Sequence, residues 1–97
     1  MTTDTSAAIA GAYEHPTRDA PEKSTPQLHA EVARGALDDA GLTFDDVDGF
    51  FTAGTPSWLL SLVEHLGLSE LSYYDSTDVG GSSYVAHVGH AAAAIAA

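Results

Sequence analysis

Apolar positions along the chain fall into short blocks that alternate between extended and helical character. Residues 7–13 (AAIAGAY) are apolar after a polar start and predict a buried strand. Pro16, Pro21 and the polar residues between positions 14 and 25 predict a loop. Leu28, Val32, Ala33, Ala36, Leu37 and Ala40 then recur on one helical face. Ser24 or Thr25 suits the cap of that helix, Pro26 its first turn, and Gly41 its end. Gln27 stands at capping-box spacing from Ser24. A glycine inside a helix costs about 1 kcal/mol relative to alanine, so Gly35 predicts close packing at that point.

Residues 43–48 predict a connector with one helical turn. Residues 50–53 (FFTA) predict a second strand, ended by Gly54. Thr55 and Pro56 open a second helix, with Leu59, Leu62, Val63 and Leu66 at i, i+3, i+4 and i+7 and Gly67 as its stop. Residues 71–75 (LSYYD) predict a third strand, residues 77–83 a glycine- and serine-rich turn, and residues 82–97 an alanine-rich helix. The order is β-α-β-α-β-α. Strands separated by helices imply right-handed crossovers, a mainly parallel sheet and the α/β class. No repeat or linker divides the chain. Residues 91–97 are strongly helical with no stop signal, so the natural chain is expected to continue past Ala97.

Composition narrows the function classes. Fourteen acidic residues stand against three basic ones, giving a formal charge of −11. Phosphate backbones and anionic lipid surfaces need clustered Lys and Arg, which argues against nucleic-acid and membrane-surface binding. Cysteine is absent, which excludes disulfides, thiolate metal sites and cysteine nucleophiles. No apolar run reaches membrane-spanning length. Met1 to Ser6 lack the basic start of a signal peptide, so a cytoplasmic protein is expected.

The turn Asp78-Val79-Gly80-Gly81-Ser82-Ser83 concentrates the candidate chemistry. It joins a strand to a helix N-terminus, where glycines permit close backbone approach and the amides favour an oxyanion, phosphate or carboxylate. A plain tight turn, with Ser82 capping the helix, explains the same residues. No lysine follows the glycines, so the segment is not a P-loop, and the dinucleotide glycine spacing is absent. His87 and His90, at i and i+3, have the spacing of a shared metal or of polar packing at an interface. A zinc ion would need further ligands that this helix lacks. Ser83 and His87 are a conceivable nucleophile–base pair. Asp75 and Asp78 are candidates for an acid and a base, and equally for caps. Trp58, Tyr73 and Tyr74 suit core or interface anchors. His15, His29 and His65 are scattered and suit surface or rim positions.

In this order the pieces resemble the start of a thiolase. The residues that carry the resemblance are Ala8-Ile9-Ala10-Gly11, Ala36-Leu37-Asp38-Asp39-Ala40-Gly41-Leu42, Phe44-Asp45-Asp46-Val47-Asp48-Gly49, and Val79-Gly80-Gly81-Ser82-Ser83 before an alanine-rich helix. On that match residues 1–97 are the N-terminal part of a thiolase-like N-terminal domain, continuing beyond the C-terminal end given. Gly80 stands where thiolases carry the acyl-accepting cysteine, so the resemblance supplies no catalytic residue here, and ping-pong transfer through an S-acyl enzyme cannot run at this position. Gly80, Gly81, Ser82 and Ser83 become the expected substrate-binding residues. The pattern is similar to the lipid-transfer-protein-like, or sterol-carrier-type, thiolases that lack the cysteine. That similarity implies an acyl-CoA thioester as substrate, no bound cofactor or metal, and aldol cleavage of steroid or lipid side chains or acyl transfer. It also implies a homodimer or an OB-fold partner of the DUF35 type, acid–base groups in a C-terminal half, a dimer-forming third strand and a central, buried third helix. The 97 residues alone would then be inactive. A non-catalytic carrier of lipid or acyl-CoA, or a structural subunit of a thiolase-like complex, is the alternative that the missing cysteine leaves open.

Overall fold

The computed structural model describes residues 7–69 and 71–97. Met1 to Ser6, read above for a signal peptide, lie outside the described residues. Helix α1 covers Thr25–Ala40, a 3-10 turn Phe44–Asp46, strand β1 Gly49–Phe51, helix α2 Pro56–Leu66, strand β2 Tyr73–Asp75 and helix α3 Ser83–Ala96. The class is mixed α/β.

Local chemistry sets the helix bounds. The Ser24 hydroxyl accepts from the Gln27 amide at the start of α1, and Thr55 accepts from Trp58 at the start of α2. Gly41 and Gly67 end the two helices in left-handed conformation. In the connector, the Asp46 carboxylate accepts from the Thr43 amide (2.9 Å) and hydroxyl (3.3 Å), which closes the 3-10 turn.

β1 and β2 pair in parallel, with Gly49 opposite Tyr73, Phe50 opposite Tyr74 and Phe51 opposite Asp75. The ladder extends at both ends, as Ser72 N donates to Asp48 O and Thr52 N to Asp75 O. Phe51 stacks on Tyr73 with ring centroids 5.4 Å apart. α1 packs on α2, where the His29 ring meets Trp58 edge-on at 5.8 Å. Among the described residues the buried large apolar side chains are Leu59, Leu62 and Leu68, from α2 and the residue just beyond its cap, and of these Leu62 is fully enclosed. The third helix is not enclosed. α3 buries only Ser83 and His87, and it exposes Tyr84, Val85, Val88 and Ile95.

The first predicted strand does not form. Residues 7–13 are irregular, and Ile9 is 78 % exposed. A strand needs a ladder, and the two strands described here pair with each other. The segment lies along α1 instead. The Ala12 amide donates to the Asp39 carboxylate at 3.0 Å. Gly11 sits against the Ala36 carbonyl and Ala40, and the Tyr13 ring covers Gly35 so closely that a side chain there would collide. This contact is the close packing that Gly35 signalled. The observed order is therefore α-β-α-β-α around a two-stranded parallel pair.

Glu31 ties the loop that follows to α1. Its carboxylate accepts from Lys23 Nζ at 2.8 Å and from His15 Nε2 at 2.9 Å, while the other His15 nitrogen accepts from the Thr17 amide. Lys23 first, and His15 second, hold the Glu31 carboxyl below the usual carboxylate range.

Two outcomes follow from this packing. Leu62→Ala removes a fully buried side chain and should cost about 2–5 kcal/mol in a denaturant titration, a large part of the stability of so small a core. Because the Glu31 pKa is lowered on folding, its contribution is present above the ordinary carboxylate value and fades as pH falls through the lowered one. Amide exchange in residues 14–24 should accelerate over that acid window in the native protein and be fast at all pH values in Glu31→Gln.

Candidate functional site

The glycine turn begins where β2 ends, at the carboxyl end of a parallel strand, the place where open α/β sheets present backbone to ligands. Gly80 adopts φ +79°, a conformation that side chains on L-residues disfavour. The turn holds itself from within. The Asp78 carboxylate accepts from the Gly80 amide at 3.1 Å. The Ser83 hydroxyl donates to the Gly80 carbonyl at 2.7 Å and accepts from the Val79 amide at 2.8 Å.

This arrangement divides the four predicted residues. Gly80, Gly81 and Ser82 are exposed, and a Cβ built on Gly80 or Gly81 meets nothing within 4 Å. The outer side of the turn is open backbone at the start of a helix, where the dipole favours negative charge. Ser83 is 1 % exposed and its hydroxyl is consumed inside the turn. It acts as the staple behind that surface. Ser82 does not cap the helix through its side chain; the Ser83 hydroxyl and the Asp78 carboxylate hold the entry. Asp78 closes the turn before the helix through the Gly80 amide and receives no amide of α3 itself.

The histidines of α3 engage the segment that enters the turn. His87 is buried, and its Nε2 donates to the Thr77 carbonyl at 2.9 Å. A carbonyl only accepts, so the hydrogen is on Nε2. His90 Nδ1 donates to Asp75 Oδ2 at 2.6 Å, and the Thr77 hydroxyl donates to the same oxygen at 2.8 Å. The Thr77 hydroxyl and then His90 hold the Asp75 carboxyl below the usual carboxylate range, against the opposing effect of burial. The two histidines are therefore committed to separate partners. That geometry realises polar packing, and it separates His87 from Ser83, whose hydroxyl points into the turn. Among the described residues no group of three or more His, Asp or Glu could hold a metal ion.

Sequence reasoning did not find Thr77 or the pairing of Asp75 with His90. The pair is 15 residues apart, and only the docking of α3 against the end of β2 brings it together. Nor did it find Glu31 as a hub.

A groove of about 720 Å³ lies elsewhere, with Phe51, Tyr73, Ala91 and Ile95 along it and Asp46 and Asp48 among its lining residues. None of residues 78–83 lines it. Of the aromatic anchors, Trp58 is half-buried against His29, Tyr73 lines this groove, and Tyr74 is exposed. No helix in the described residues is long and apolar enough to cross a membrane.

No family model matches the chain. Over 76 residues, 76 % of its length, the chain is 38 % identical to a 17-hydroxy-3-oxo-4-pregnene-20-carboxyl-CoA lyase of Mycobacterium tuberculosis (strain ATCC 25618 / H37Rv). The match spans 19 % of that protein's length. The likeness is to a steroid-CoA lyase, and it is distant and partial.

The two glycines should differ in their tolerance of a side chain. Gly80→Ala places a methyl group on a positive-φ residue and should cost about 1–2 kcal/mol. Gly81→Ala, with negative φ and open space, should change stability by no more than about 0.5 kcal/mol. Parallel denaturation curves of the two variants read the difference.

Proposed function

We propose that this chain is an N-terminal section of a thiolase-like protein that cleaves a carbon–carbon bond in a steroid-type or lipid-type acyl-CoA thioester, without a cysteine nucleophile. The observation that carries this reading is the 38 % identity, across most of the chain, to a lyase whose name specifies a hydroxylated steroid-CoA ester. The local chemistry is compatible with it. At Gly80 there is no thiol to accept an acyl group, and Ser83 is buried and hydrogen-bonded. The Gly80 amide is already given to Asp78, and the open backbone of Gly81 and Ser82 offers amides instead of a nucleophile.

Such amides suit an aldol cleavage. A base removes the proton of a hydroxyl β to the thioester carbonyl, and that hydroxyl carbon becomes a ketone as the adjacent C–C bond breaks. The electron pair of that bond passes to the thioester as an enolate, which is then protonated. Charge develops on the thioester oxygen, and fixed backbone donors there lower the barrier without forming a covalent bond. The base and acid are assigned to the remainder of the longer protein, as is pairing with a second copy or an OB-fold subunit. Asp46 and Asp48 line the 720 Å³ groove, which disfavours the phosphates of coenzyme A there.

The test uses the protein isolated at its native length, with and without a candidate OB-fold subunit. A steroid β-hydroxyacyl-CoA is the substrate, and the shortened acyl-CoA is followed by mass spectrometry. Cleavage is expected. Gly81→Val should retain the fold and lose about tenfold or more in kcat/KM, on the order of 1.4 kcal/mol. Equal turnover in that variant removes the turn from the site. Saturable binding of the thioester with no cleavage under any pairing favours the carrier reading that the missing cysteine motivates.

A further inference from the structure

We propose that the Asp75–His90 pair is a positioning clamp for the glycine turn, holding the turn in its open geometry while Asp75 is ionised and releasing it in acid. Its functional meaning rests on the reading of that turn as the thioester contact, but its existence does not.

A chain of hydrogen bonds runs from the sheet to the turn. Asp75 ends β2, and its backbone carbonyl accepts from Thr52 N, so the residue is anchored in the sheet. One carboxylate oxygen, Oδ2, accepts from both His90 of α3 and the Thr77 hydroxyl. Thr77 is held a second time, through its carbonyl, by His87. Thr77 is the residue immediately before Asp78, and Asp78 receives the Gly80 amide. The entry to the turn is thus fixed from the strand and from the helix together. Its exit is fixed by Ser83. A loop restrained at both ends has its donor geometry set before a ligand arrives.

Apolar packing does little of this positioning. α3 buries only Ser83 and His87, and its larger apolar side chains face outward. The polar contacts at Thr77 and Asp75 therefore decide how the first two turns of the helix sit on the end of β2. His87 and His90 on α3, Thr77 in the connecting segment and Asp78 in the turn are the polar and titratable groups that surround this network. When Asp75 is protonated it no longer accepts two donors as a charged group. Its ionised form is favoured by the fold, so the clamp is closed above the ordinary carboxylate value and opens as pH falls through a value below it.

The measurement is an NMR titration of the full chain from neutral pH into acid. It follows the side-chain carboxyl carbons of Asp75 and Asp78 and the backbone amides of Gly81 and Ser82. The amides should shift with the midpoint of Asp75, below the usual carboxylate range. In His90→Ala that midpoint should rise toward the usual range, and the amide transition should rise with it while α3 helicity at neutral pH is kept. His90→Gln, which retains an N–H donor, should restore part of the difference. The proposal is overturned when the Gly81 and Ser82 amides follow Asp78 instead, when they do not move across the Asp75 transition, or when His90→Ala leaves the Asp75 midpoint in place. None of these readouts depends on catalysis, so a protein without lyase activity can still have the clamp, and an active lyase can lack it.

Discussion

The ionised carboxylate of Asp75 joins three parts of the structure that apolar packing leaves weakly connected. Its backbone belongs to β2, its Oδ2 receives His90 from α3, and the same atom receives the Thr77 hydroxyl from the segment leading into the glycine turn. A charged acceptor with two donors gives stronger, more directional contacts than neutral hydrogen bonds do. Buried apolar side chains, by contrast, are concentrated on α2 and at Leu68 among the described residues. The two-stranded sheet is too small to orient a helix by itself, so polar contacts at the strand end carry the register of α3.

Two sides of the molecule follow from this division. On one, α1 and α2 close on each other, and residues 7–24 are strapped to α1 by backbone approach at Gly11 and Gly35 and by the Glu31 hub. On the other, α3 stands on the sheet with Tyr84, Val85, Val88 and Ile95 facing outward, and β2 is paired on one edge among the described residues. Exposed apolar surface of this kind suits contact with further protein, with a ligand or with a membrane. The proposal that the chain is a section of a larger thiolase-like enzyme accounts for that surface and for the 19 % coverage of the lyase it resembles.

The glycine turn lies between these sides. It is internally stapled by Ser83 and Asp78, yet open on its outer face. This combination separates support from function. The buried hydroxyl is structural, and the exposed backbone is available for chemistry. A site made of backbone amides needs no particular side chain at its surface, which is how the loss of a cysteine nucleophile is compatible with retained action on thioesters in the proposed reading.

Helix ends were legible in the sequence because they depend on nearest neighbours. Ser24, Pro26 and Gly41 bound α1, and Thr55, Pro56 and Gly67 bound α2, through contacts spanning at most five residues. The composition of the glycine turn marked its backbone freedom equally well. Tertiary structure decided the rest. Residues 7–13 have a strand-like composition, but a strand exists only with a partner, and here the segment lies against α1. Ser82 and Ser83 are adjacent and chemically identical, yet the fold exposes one and buries the other. Asp75 and His90 meet because a helix returns over the end of a strand 15 residues earlier. Spacing along the chain carries no sign of that meeting, since it depends on how two elements dock and not on the residues of either one.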